Sequence, residues 1–174
     1  MVIGIGGVSN AGKSTLARNL KKVLHEVDVV SLCQDDFALP IGEIPKINGH
    51  TDWECTDSID FDRFYKEALH QIKLHELVIL EGIFAFQDER LNNLMDLKLF
   101  LTLDKKTFLT RKNKDIRWGK EPEWYVEHIW DSHQKYSRQQ PLQNNYIMLQ
   151  ADQGINATEI AQKYLKTSQL LKNI

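Results

Sequence analysis

The stretch Gly7-Val8-Ser9-Asn10-Ala11-Gly12-Lys13-Ser14 matches the pattern G-x-x-x-x-G-K-[ST] at every fixed position. It follows an apolar run over residues 2–6 and opens a helical pattern over residues 13–26. This strand–turn–helix context is what a phosphate cradle requires. The glycines let backbone N–H groups turn inward around phosphate oxygens, and the helix N-terminus adds its dipole. The pattern predicts Lys13 at the β- and γ-phosphates of a nucleotide and the Ser14 hydroxyl on Mg²⁺. Gly7, Asn10, Ala11, Gly12 and Thr15 complete the expected nucleotide-binding set. The competing account is a glycine-rich turn with an ordinary surface lysine; the flanking strand and helix argue against it.

A chain that opens this way is constrained to an α/β architecture, and the rest agrees. Short runs rich in Val, Ile, Leu and aromatics recur at 27–32, 77–81, 97–103 and 146–150. Helical spacing fills residues 60–75, 105–118, 121–139 and 156–171. Asn156 with Glu159 three residues on predicts an N-cap with reciprocal capping. The alternation predicts a P-loop NTPase fold, a mostly parallel five-stranded sheet with helices on both faces. Residues 1–174 form one expected domain. Only residues 37–57 look like a long loop. They hold Pro40, Gly42, Pro45 and Gly49 without strand or helix periodicity, and such loops are usually functional.

Composition narrows the partners. The 174 residues carry a net charge of -2, from 22 Lys+Arg against 24 Asp+Glu, where a nucleic-acid or membrane-surface protein is usually strongly basic. No apolar run approaches the ~18 residues of a membrane span, and residues 1–6 do not resemble a secretion leader. Two isolated cysteines, Cys33 and Cys55, suit a reducing cytoplasm. The expected partner is a small molecule. A monomer is expected, with a homo-oligomer left open.

In such sheets ligands bind beyond the carboxyl ends of the strands, so chemistry is sought there. The second strand ends in Gln34-Asp35-Asp36-Phe37, where one carboxylate could accept the proton of an attacking hydroxyl. Both could equally be solvated turn residues. The third ends in Leu80-Glu81-Gly82, the usual place for a carboxylate on the metal side. After the fourth, residues 111–120 are cationic and could close over phosphates as a lid. A solvated helix face is the alternative. Arg111 and Arg117 are favoured because a guanidinium fork suits phosphate.

Together, the phosphate motif, Gln34-Asp35-Asp36-Phe37, Trp53-Glu54 followed by Asp57-Ser58-Ile59-Asp60, Leu80-Glu81-Gly82 and the Arg111–Arg117 segment resemble the nicotinamide riboside kinases, within the uridine kinase-like P-loop nucleoside kinases. The resemblance runs from about residue 2 to residue 152. It implies transfer of the γ-phosphoryl group of ATP to the 5′-hydroxyl of a ribonucleoside, with Mg²⁺. It makes Asp35, Lys13 and Glu81 the catalytic set. Asp35 matches the acid beside the 5′-hydroxyl, and Glu81 a second carboxylate near the metal. Asp36 and Phe37 fall on the substrate side. Glu54 matches an acid that grips the ribose hydroxyls, Trp53 an aromatic that stacks on the base, and Trp118 a second aromatic wall. Loop 37–57 would hold the nucleoside and segment 111–120 would be the lid. A pyridinium-bearing nucleoside suits an aromatic face, worth ~0.5–2 kcal/mol.

Two other readings stand beside this one: a uridine/cytidine kinase, and a nucleotide-binding regulatory module without turnover. Asn113-Lys114-Asp115 lacks the spacer of a guanine-binding motif. His128 and His133, five apart, fall off a common helical face and read as surface or packing residues, while His25, His50, His70 and His75 show no partner pattern.

Overall fold

The computed structural model describes residues 1–117, 119–139 and 146–165. Five strands form one parallel sheet: β1 (Val2–Gly7), β2 (Val29–Cys33), then, after a small hairpin, β5 (Leu77–Glu81), β6 (Leu97–Thr102) and β7 (Tyr146–Gln150). Their order across the sheet is β2-β5-β1-β6-β7. Each strand lies within two residues of its sequence-predicted limits. The reason is clearest in β1 and β5, which are buried on both faces, so their apolar residues run almost without interruption, while the edge strands β2 and β7 expose Ser31 and Met148. On β1, Ile3 and Ile5 face one side and Val2 the other; on β5, Leu77 and Ile79 oppose Val78 and Leu80.

Helices cover both faces. One core joins Leu16 and Leu20 of α1 (Lys13–Val23), Phe108 of α4 (Lys105–Lys114), Ile129 of α5 (Glu123–Gln139) and Ile160 of α6 (Ala157–Ile160). The second joins Phe64 and Ala68 of α2 (Phe61–Leu74) with Leu91 of α3 (Glu89–Leu94). Full burial of one such leucine or phenylalanine contributes roughly 1.5–3 kcal/mol. Side-chain caps set several helix starts. Asp60 accepts from Arg63 N, Asp104 from Thr107 N, and Asn156 from Thr158 N and Glu159 N. The Asn156 cap is as expected, but Glu159 receives the side-chain amide of Asn156 (3.2 Å), not its backbone N–H.

The structure departs from expectation at four places. α3 was not foreseen; its signal is Asp88, whose carboxylate accepts from Arg90 N and Leu91 N. Loop 37–57 contains a hairpin of β3 (Lys46–Ile47) and β4 (His50–Thr51). Asn48 (φ 49°) and Gly49 (φ 79°) form its turn, and Asn-Gly is the strongest short hairpin signal. α4 stops at Lys114 rather than at residue 118, and the helix expected over 156–171 is α6 followed by a π-type turn over Ala161–Leu165, its last residues lying outside those described.

Gly4 and Gly6 of β1 have a spatial role. A Cβ at Gly4 would strike Met95 Sδ and one at Gly6 the Phe86 ring, so both glycines let large side chains lie directly on the strand. Gly6→Ala is expected to cost about 1–3 kcal/mol through overpacking. Denaturant unfolding should show a lower midpoint with an unchanged m-value; an unchanged midpoint would contradict this packing.

Candidate active site

The parallel register brings three strand ends level. Glu81 lies opposite Ile5 of β1 on one side and Cys33 of β2 on the other, and Gly7 lies opposite Leu101 of β6. The cradle of residues 7–14 springs from β1, the sheet's central strand. Gly7 has φ 133° and its missing Cβ would meet the Leu101 carbonyl, so only glycine fits. Asn10 (φ 61°) and Gly12 (φ 95°) complete the turn, which the Ala11 N–H closes onto the Val8 carbonyl (3.2 Å). The start of α1 has no side-chain cap and no acidic residue in its first turn. Its N–H groups and dipole are therefore left for an anion. Ser14 and Thr15 carry exposed hydroxyls on this first turn.

Lys13 is 9% exposed and its ammonium donates to the Val8 carbonyl (3.1 Å). Burial lowers its pKa, and the charges of Glu81, Asp35 and Glu54 oppose that shift, in this order. Glu81 is 3% exposed at the end of β5. Cys33 lies beside it on β2; burial, then the charges of Asp35 and Glu81, push that thiol up to about 12, so it stays protonated.

After Cys33 the chain makes a 3₁₀ turn, Gln34–Phe37. With three residues per turn, positions 34 and 37 share one side. Gln34 and Phe37 are accordingly buried, while Asp35 and Asp36 are exposed. Gln34 Oε1 accepts from the Phe84 N–H (2.8 Å) and packs on Gly82, tying the end of β2 to the loop after β5. Asp35 is near enough for its charge to act on Lys13, Cys33, Glu54 and Arg117. The Asp36 carbonyl accepts from Arg63 of α2 (2.7 Å). Phe37, expected on the substrate side, is instead stacked in the core on Phe64, with ring centroids 4.6 Å apart.

Trp53 is 37% exposed, and its backbone N–H donates to the Tyr125 hydroxyl (3.0 Å). Burial pushes Glu54 up to about 7; Lys112 and then Lys13 pull it down, and Asp52 and Asp35 push it up. Of the three cations Arg111, Lys112 and Arg117, Lys112 is the buried one, at 9% exposure. Arg111 is committed to structure, donating to the carbonyls of Asn10 (3.3 Å) and Ala151 (2.7 Å). Arg117 pairs with Asp115 (2.6 Å), and Asp115 also accepts from the Asn10 side-chain amide (3.0 Å). Those contacts, Arg117 first, hold the Asp115 carboxyl well below its usual range. Trp118 lies outside the described residues.

Sequence reasoning missed the histidine ties. His128 Nε2 pairs with Asp52 Oδ1 (2.8 Å) and His50 Nε2 with Glu121 Oε2 (3.3 Å). His133 is a packing residue between Phe100 and Trp130, and burial, with a smaller effect of Lys13, lowers it to about 4. Among the described residues no group of three or more His, Cys, Asp or Glu could hold a metal by itself. One hydroxyl, Ser14, and one buried carboxylate, Glu81, beside a phosphate cradle suit a cation that keeps waters and phosphate oxygens as ligands.

The family model described as Phosphoribulokinase / Uridine kinase family matches residues 64–155. Nicotinamide riboside kinase 1 of Rattus norvegicus is 28% identical over 155 residues, covering 79% of this chain and 78% of that protein. Uridine kinase of Chlamydia pneumoniae is 28% identical over 144 residues, covering 67% and 64%. The structure of a possible uridine kinase from Bacillus stearothermophilus superposes with a TM-score of 0.61 at 16% identity, covering 86% of this chain and 88% of that one, which shows the shared fold.

The raised pKa of Glu54 has a thermodynamic sign. The folded state holds this proton more tightly than the unfolded chain, so its contribution is present at low pH and is lost as pH rises through about 7. Glu54→Gln should therefore gain stability relative to the parent between pH 5 and 8 in denaturant titrations. A stability difference independent of pH would show that Glu54 is solvated.

Proposed function

The chain belongs to the phosphoribulokinase/uridine kinase family, and on that footing we propose that it transfers the γ-phosphoryl group of ATP to the 5′-hydroxyl of nicotinamide riboside, giving nicotinamide mononucleotide in NAD salvage. The observation that carries this reading is the convergence of Lys13, Asp35, Glu54 and Glu81 on one end of the sheet, with Trp53 exposed next to Glu54. Lys13 and the backbone of residues 7–14 seat the phosphates. Asp35 orients the 5′-hydroxyl and takes its proton as O5′ bonds the γ-phosphorus and the bond to the bridging oxygen of ADP breaks. Positioning and charge neutralisation supply most of the acceleration. Bound Mg²⁺ supplies part of that neutralisation, and Ser14 and Glu81 are the residues that fit it. Arg117 joins the phosphates by exchanging Asp115 for them, while Arg111 braces the cradle. Glu54 grips the ribose, and Trp53 stacks on the pyridinium, whose charge an aromatic face attracts.

A single domain acting as a monomer in the cytoplasm completes the proposal. Two unpaired thiols, Cys33 and Cys55, support a reducing compartment. No described helix is long and apolar enough to cross a membrane.

Uridine/cytidine phosphorylation is the second reading, supported by the equal identity of the Chlamydia pneumoniae uridine kinase. ADP release with nicotinamide riboside, uridine and cytidine side by side decides between them, and the riboside is expected to give the highest kcat/KM. ATP binding with no acceptor-dependent ADP release would instead mark a regulatory module. Lys13→Ala should abolish turnover. Asp35→Asn should lower kcat by about 10²–10⁴-fold with ATP still bound. Trp53→Ala should raise the acceptor KM about 2- to 30-fold with kcat little changed.

A further inference from the structure

The backbone of Trp53 and Glu54 is held by α5, which lies more than 70 residues away in sequence. Two side chains do this. The Tyr125 hydroxyl accepts from the Trp53 N–H (3.0 Å) and donates to the Thr51 carbonyl (3.2 Å). Asp52 Oδ1 accepts from the Glu54 N–H (3.0 Å) and at the same time meets His128 Nε2 (2.8 Å). Tyr125 and His128 are three residues apart on a helix and so share a face. The Asp52 and His128 side chains are only 14% and 21% exposed, which limits screening by solvent. Asp52 is anchored from behind as well, by its own N–H to the Pro45 carbonyl (2.8 Å).

We propose that His128 is a positioning residue for the acceptor nucleoside: through Asp52 it fixes the backbone that presents Trp53 and Glu54, so that His128 shapes acceptor affinity without touching the acceptor. The proposal rests on the reading of Trp53 and Glu54 as the nucleoside site. Its mechanism is geometric. Without the imidazole, Asp52 keeps its short-range bond to Glu54 but loses one of the two ties to α5; the Tyr125 hydroxyl still holds Thr51 and Trp53, while Asp52 and Glu54 are freed. Residues 52–54 then sample orientations in which Trp53 and Glu54 do not converge on one ligand. Only the competent fraction binds, so the apparent KM rises as that fraction falls. The ATP side is held separately, by Arg111 and Asp115 on Asn10, and is untouched.

The test is steady-state kinetics of the full chain with nicotinamide riboside and ATP varied in turn. His128→Ala should raise the acceptor KM about tenfold, the worth of one partly buried charge-assisted hydrogen bond. The kcat and the KM for ATP should stay within about twofold. His128→Gln, whose amide can still donate to Asp52, should recover most of the loss, which a purely structural role in α5 would not predict. Adding His128→Ala to Asp52→Ala should raise KM no further than Asp52→Ala alone. An acceptor KM unchanged in His128→Ala, an equal loss in the KM for ATP, or additive effects of the two changes would overturn the proposal. Should His128→Ala fail to fold, His128→Gln against Asp52→Ala carries the same comparison. Trp53→Ala, assayed in parallel, separates the two failures. If it raises KM while His128→Ala does not, only the positioning role falls. If neither does, the nucleoside site lies elsewhere.

Discussion

The ammonium of Lys13 is buried at the centre of the site, and the rest of the arrangement follows from what such a charge needs. Desolvation disfavours it, and the charges that offset this are Glu81, Asp35 and Glu54, each delivered by a different segment of the chain. That requirement explains why carboxylates sit at strand ends otherwise flanked by apolar residues. It also couples them, because a proton on any one weakens the support for Lys13. Nucleotide phosphates, arriving at the uncapped start of α1, bring the charge that the carboxylates stand in for.

Much of this was legible in the sequence because it is local. The strand–cradle–helix unit lies within residues 2–23, and its glycines, lysine and serine are contiguous. The strands were readable because short apolar runs mark them all, most plainly in β1 and β5, which are covered on both faces. Asp35 and Glu81 were found for the same reason, as charges placed where such runs end.

What was not legible is either short-period or long-range. Phe37 follows the two acids in sequence and the resemblance implies the substrate side for it, yet a 3₁₀ turn sends it to the core with Gln34. Lys112 stands beside the favoured Arg111 in sequence; only the rotation of α4 shows that it is the buried cation while Arg111 spans two backbone carbonyls. The Asp52–His128 pair joins residues 76 apart, and no one-dimensional spacing marks it. Asn48-Gly49 was a missed local signal: the hairpin it makes is only two residues per strand, too short to show alternation.

The rings lying on the glycines of β1 limit how this sheet can change over time. With Phe86 filling the space at position 6, and Met95 and Phe86 that at position 4, larger residues there are admissible only where their partner has already become smaller. Drift at the base of the central strand must therefore proceed in compensated pairs. Because the phosphate turn begins at the very next residue, uncompensated steps would be felt first as a displaced cradle.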